Sequence, residues 1–104
     1  MELSQANVVV IVFVMDGCGA CKHYLPRLHR VAEPYRRAGI PILVYDAASA
    51  DQRVQDLADR FKVTATPTTI VAKRGPGFLR VEGSIADEEI RELMDIASRY
   101  TRDA

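Results

Sequence analysis

Seven consecutive β-branched or aromatic residues, Val8-Val9-Val10-Ile11-Val12-Phe13-Val14, constrain this chain more than any other feature. A strand with one face in water alternates apolar and polar side chains. An unbroken apolar run describes instead a strand covered on both faces, as in a parallel sheet between layers of helix. The run therefore predicts a central strand in the sheet. Asp16-Gly17 breaks it, and from Ala20 apolar residues recur at Tyr24, Leu25, Leu28, Val31, Ala32 and Tyr35, the spacing of one helix face. Strand gives way to helix at Cys18 and Cys21. Pro26 lies inside this pattern, where it removes a backbone donor and predicts a kink, while Pro34 and Gly39 place the helix end between Glu33 and Arg37.

Ile42 to Tyr45 reads as a second buried strand, and a helix between two such strands makes a βαβ unit, right-handed in nearly all known cases. Asp51 is placed to cap a second helix carrying Val54, Leu57, Ala58 and Phe61, which runs until Lys62-Val63. Thr68 to Lys73 and Phe78 to Glu82 read as strands joined by the turn-rich Arg74-Gly75-Pro76-Gly77, an antiparallel hairpin. After Gly83, Asp87-Glu88-Glu89 puts acid at the positive end of a last helix with Ile90, Leu93, Met94, Ala97 and Tyr100 inward, and Thr101 to Ala104 are expected to fray. The order is β-α-β-α-β-β-α, an α/β layer structure with a central mixed sheet flanked by helices. Residues 1–104 carry no repeat or linker, and at 48% hydrophobic they are expected to form a single domain.

Fourteen basic residues balance fourteen acidic ones, so no net field would hold the chain on nucleic acid or an anionic membrane. Lys22, Arg27, Arg30, Arg36 and Arg37 form a basic stretch without aromatic stacking partners and read as a solvated helix face. The apolar run Val8 to Met15 is too short to cross a bilayer and follows no Lys or Arg, so it reads as neither anchor nor signal peptide. A cytoplasmic location is expected, and there a lone cysteine pair is catalytic or metal-binding more often than a structural staple.

Cys18 and Cys21 follow a buried strand and open a helix in a βαβ pattern, with Lys22 directly after the second cysteine. Pro26 lies within the helix, Thr66-Pro67-Thr68 precedes a strand, and Gly83 follows the hairpin. In these features the chain, from about Val8 to Tyr100, resembles the thioredoxin family. The resemblance implies a thioredoxin-like fold, a cis-proline loop at Thr66-Pro67-Thr68 and disulfide exchange at the two cysteines. The sequence departs from the family in four respects. Only Met1 to Asn7 precede the first strand, where thioredoxins carry a further strand and helix, leaving the minimal core shared with glutaredoxins. Gly17 replaces the usual Trp, Ala20 replaces the proline between the cysteines, and Val12 stands where the family has a buried acid.

Exchange requires a thiolate. Cys18 at the helix start faces unpaired backbone donors and the positive end of the helix dipole, which lower a thiol's pKa, so Cys18 is the expected nucleophile. Cys21, one turn along and more buried, is the expected resolving thiol. Gly17, Gly19 and Ala20 keep the approach to the sulfurs small. Thr66 and Pro67, through the resemblance, are expected to offer backbone to an extended substrate. Asp16 would raise the pKa of Cys18, and Lys22 and His23 would lower it. With Val12 in the acid's place, Asp16, His23 or water is left to take the proton from Cys21.

A disulfide between Cys18 and Cys21 closes too small a loop to serve as a staple. A zinc site from Cys18, Cys21, His23 and His29 is disfavoured because the two histidines diverge by roughly 120° around a helix. Tyr24, Tyr35 and Tyr100 fall on apolar stripes and read as core. The expected activity is that of a monomeric protein disulfide reductase with no metal or organic cofactor. It would act on disulfide-containing proteins and be recycled by thioredoxin reductase or glutathione. A glutaredoxin-like enzyme is the rival, although Glu82-Gly83-Ser84-Ile85-Ala86-Asp87 does not reproduce the glutathione-binding segment of that group. A non-catalytic binding module is the other.

Overall fold

A computed structural model describes residues 7–102, for Arg102 the backbone only. The elements are β1 (Val8–Val14), α1 (Gly19–Arg37), β2 (Ile42–Asp46), α2 (Gln52–Arg60), β3 (Thr68–Lys73), β4 (Phe78–Glu82) and α3 (Asp87–Arg102), in the expected order. The sheet runs β2-β1-β3-β4. β1 is parallel to β2 and antiparallel to β3, with Val12 opposite Thr69, and β4 extends the sheet antiparallel to β3.

The apolar run of β1 is covered on both faces, as its composition requires: Val8 through Phe13 are at most 3% exposed. Alternation then divides the core in two. Val8, Val10 and Val12 pack with Tyr24 and Leu28 of α1 and with Ile90 and Met94 of α3. Val9, Ile11 and Phe13 pack with Val54 and Ala58 of α2 and with Phe61. Each fully buried large side chain of this kind contributes about 1.5–3 kcal/mol relative to exposure. Among the described residues no helix is long and apolar enough to cross a membrane.

Two expectations are corrected here and a third is qualified. Ile42 to Tyr45 is not a buried strand. β2 bonds to β1 along one edge only and its residues are half-buried or exposed, Val44 by 40%. Apolar composition records the strand, and Ile42, Leu43 and Tyr45 do pack against the two core clusters, but the open edge leaves Val44 and Asp46 in solvent. Thr101 does not fray: α3 continues to Arg102, with the Thr101 hydroxyl donating to the Ser98 carbonyl. Tyr100 packs against the first core cluster beneath the Lys73 ammonium, 5.1 Å from its ring, which holds the last turn down. Asp103 and Ala104 lie outside the described residues. The basic stretch of α1 is a solvated face at Lys22, Arg30, Arg36 and Arg37, and Arg27 is the exception. Arg27 is only 20% exposed and bonds to Asp87, Arg30 also reaches Asp87, and Arg36 and Arg37 both reach Glu33.

α1 runs through both prolines to Arg37, the far limit of the expected range. Pro34 is exposed, so the carbonyl left without its N–H faces water. Termination falls to Gly39, whose φ of +107° is the left-handed conformation that ends helices. α2 starts at the expected cap, the Asp51 carboxylate accepting the Arg53 N–H. At the start of α3, Glu89 reaches back to accept the Ala86 N–H at 3.1 Å.

Candidate active site

β1 ends in solvent at Met15, Asp16 and Gly17, and the chain must reverse there to start α1. Gly17 makes the reversal at φ +77°, a conformation that L side chains adopt at a cost, although a Cβ at this position would meet nothing within 4 Å. Backbone conformation therefore explains glycine here. The turn delivers Cys18 as the N-cap of α1, in extended conformation, with its N–H donating to the Met15 carbonyl at 3.3 Å.

Cys18 caps with sulfur where Ser or Asp would cap with oxygen. The Cys21 N–H donates to Cys18 Sγ at 3.1 Å, and the Lys22 N–H donates to the Cys18 carbonyl at 3.2 Å. A thiolate on Cys18 would accept the first of these bonds more strongly than a neutral sulfur, and the helix dipole adds in the same direction. Cys18 and Cys21 form a disulfide with Cα atoms 5.2 Å apart. Cys18 is half-buried and Cys21 only 3% exposed, so an incoming group meets Cys18 first.

The loop before β3 closes the other side. Thr66–Pro67 is cis, Thr66 is half-buried and Pro67 buried. The Thr66 carbonyl oxygen lies 3.6 Å from Cys18 Sγ although 48 residues separate the two in sequence. The Thr68 hydroxyl donates to the Ala65 carbonyl at 2.6 Å, and the Gly83 N–H donates to the Pro67 carbonyl at 2.8 Å, tying this loop to the end of β4. Thr66 and Pro67 thus join the cysteines, as do Gly17, Gly19 and Ala20, all three exposed around the sulfurs. Asp16, Lys22 and His23 are exposed, and their side chains make no hydrogen bond or ion pair among the described residues. No three His, Cys, Asp or Glu side chains gather as a metal site requires among the described residues.

Two features escaped the reading of the sequence. Met15, 44% exposed, sets an apolar side chain on the surface three residues before Cys18. In the first core layer, one turn along α1 from Cys21, Tyr24 and Thr69 join hydroxyls at 2.8 Å, with the residues 0% and 2% exposed. Burial pushes the Tyr24 phenol above its ordinary value, partly offset by the Thr69 hydrogen bond and by Arg27, whose guanidinium lies 5.6 Å from the ring centre. The apolar stripe by itself gives Tyr24 no role beyond core. The available signal is Thr69, a hydroxyl in a strand that is buried on both faces from Thr68 to Ala72. Arg27 also bonds to the Ile85 carbonyl, Ser84 and Asp87, pinning α1 to the start of α3.

The profile of the family described as Thioredoxin matches residues 1–96. Thioredoxin H2 of Arabidopsis thaliana is 31% identical over 88 residues, covering 84% of this chain and 62% of that protein. The mitochondrial thioredoxin-2 of Schizosaccharomyces pombe is 28% identical over 99 residues, covering 95% and 67%. The chain thus spans only about two thirds of the length of these relatives. In fold it is similar to the solution structure of oxidised thioredoxin from Plasmodium falciparum, with a TM-score of 0.71 at 22% identity over 96% of this chain and 86% of that one.

Proposed function

The chain belongs to the thioredoxin family, and from that premise we propose that it is a thiol–disulfide oxidoreductase acting on disulfides of other proteins. The observation that carries this reading is Cys18 itself: a half-exposed sulfur that caps α1, takes the Cys21 N–H and is bonded to a buried partner thiol. In the reduced protein, the Cys18 thiolate attacks one sulfur of a substrate disulfide. A bond forms between Cys18 and that sulfur, and the other substrate sulfur leaves with the electron pair and takes a proton from solvent. Cys21 then loses its proton and attacks Cys18 Sγ, which breaks the mixed disulfide and releases the second substrate thiol. The substrate gains two electrons and the Cys18–Cys21 pair loses them.

Gly17, Gly19 and Ala20 put no bulk between an approaching chain and the sulfurs. The backbone at Thr66 and Pro67 lies where an extended substrate segment would run. Asp16, Lys22 and His23, charged or chargeable and close to the cysteines in sequence, tune the site by their field. The protein is read as one monomeric domain of a reducing, cytoplasmic compartment, recycled by thioredoxin reductase or glutathione. Both of its cysteines lie in the site, leaving none for structural bridges.

Reduction of insulin disulfides with thioredoxin reductase, glutathione or dithiothreitol as donor tests the activity. A Cys21→Ser variant should stop at the mixed disulfide and accumulate covalent adducts with its substrates. A reduction potential near about −270 mV with turnover supported by the reductase is the expected result, while about −200 mV with glutathione turnover would make it glutaredoxin-like. No turnover with any donor, and no adduct in Cys21→Ser, would refute exchange.

A further inference from the structure

The resolving step places a negative charge on a sulfur in the least hydrated part of the site. Cys21 is 3% exposed, and Val12, on the face of β1 that packs with α1, is apolar and stabilises no anion. Yet a polar pair has been built into this same layer. Tyr24 is three residues after Cys21 and is buried, like Cys21, on the inward side of α1. Long side chains on a helix lean back toward its N-terminus, so the Tyr24 ring lies over the turn that contains Cys21. Its hydroxyl meets Thr69, whose cross-strand neighbour is Val12 and which follows Pro67 by two residues on the strand leaving the Thr66 contact to Cys18.

A buried hydroxyl pair costs more to desolvate than two methyl groups of the same volume, so its presence in an aliphatic layer calls for a use. Resting on the exchange reading above, we infer that the Tyr24–Thr69 pair sets the acidity of Cys21, with the Tyr24 O–H turning toward the sulfur as negative charge develops there. Thr69 holds the phenol in place and takes its hydrogen bond in the oxidised state. Both are positioning residues. The Cys21 proton itself goes to solvent, and no redox equivalent passes through the hydroxyls. The groups facing Tyr24 are Arg27 on its own helix, Glu89 from α3 and Thr69 from β3, while β1 contributes apolar Val12. Near Cys21 the titratable side chains of its own segment are Asp16, Lys22 and His23, all exposed.

The test isolates resolution. Cys18 of the reduced protein is charged with 5-thio-2-nitrobenzoate as a mixed disulfide, and release of the coloured thiol by Cys21 is followed by stopped flow from pH 5 to 10. Tyr24→Phe should slow release about tenfold near neutrality and move the pH midpoint up by about one unit, a tenfold change in thiolate fraction. Thr69→Val should move the midpoint the same way by less, and Thr69→Ser should restore it. Thr69 variants keep the test decisive should Tyr24→Phe fail to fold. A midpoint unmoved in both Tyr24→Phe and Thr69→Val, with stability lowered, would show a merely structural pair and overturn the inference. A wild-type protein that releases no thiol at any pH would overturn the exchange reading on which it rests.

Discussion

Removing the phenolic oxygen of Tyr24 gives the sharpest stability prediction, because the partner is known and both ends are dry. Tyr24→Phe keeps the ring, its packing and its contact with Arg27, and leaves the Thr69 hydroxyl unpaired at 2% exposure. A net hydrogen bond is worth about 1 kcal/mol, and an orphaned buried polar group costs about 1–3 kcal/mol, so a loss of about 1–2 kcal/mol is expected. Thr69→Val orphans the phenol instead and should cost about the same. In the double variant nothing polar remains unpaired, so its cost should fall below that of either single change. The coupling is then at least about 1–2 kcal/mol, within the range measured for residues in direct contact. Urea unfolding of the oxidised protein at neutral pH measures all four corners from shifts in midpoint at constant slope. In thermal melts each single change should lower Tm by about 4–8 °C per kcal/mol for a domain of this size. Additivity within about 0.3 kcal/mol would refute the hydrogen bond as an energetic unit.

Alkaline stability carries the same residue's sign. The Tyr24 phenol is raised above 10.0 by burial, so above that pH the unfolded chain releases a proton that the native state retains. Its contribution is complete below pH 10.0 and is lost as pH rises through the higher native value; Tyr24→Phe should flatten the decline in urea midpoint there, and equal slopes would count against it. At the acidic end, Asp87 is held below its ordinary value of 3.8 by hydrogen bonds and charge from Arg27 and Arg30. Its stabilising effect is present above that value and fades as pH falls through the lower native one, so Asp87→Asn should reduce the acid sensitivity of unfolding. Gly17→Ala has room for its Cβ but must keep φ at +77°, which should cost about 1 kcal/mol by denaturation; an unchanged midpoint would mean that the turn relaxes.

The parts of the fold legible in the sequence are those where one local rule decides. The unbroken apolar run Val8 to Val14 became the central strand because no exposed strand can be apolar on both faces, and the hairpin strands fell at Thr68–Lys73 and Phe78–Glu82 as read. Cys18 at a helix start was legible for the same reason, since the turn signal Asp16-Gly17 and the apolar spacing from Ala20 meet there. Depth was not legible. Ile42 to Tyr45 is as apolar as a buried strand, and only the order of strands places it at the edge. Nor was the partner of a polar atom. Arg27 reads as one more surface cation until α3 brings Ser84, Ile85 and Asp87 to it, and Tyr24 reads as core until β3 supplies Thr69.

By itself, then, the sequence determined the succession of strands and helices, the breaks at Gly17 and Gly39, and a cysteine pair opening a helix, because periodicity and turn chemistry act within a few residues. Only the tertiary structure decided that the Thr66 carbonyl faces Cys18, that β2 is an edge and that Tyr24 and Thr69 pair their hydroxyls in the core. Those contacts join residues about fifty positions apart, and what brings them together is the packing of whole layers, which no local pattern encodes.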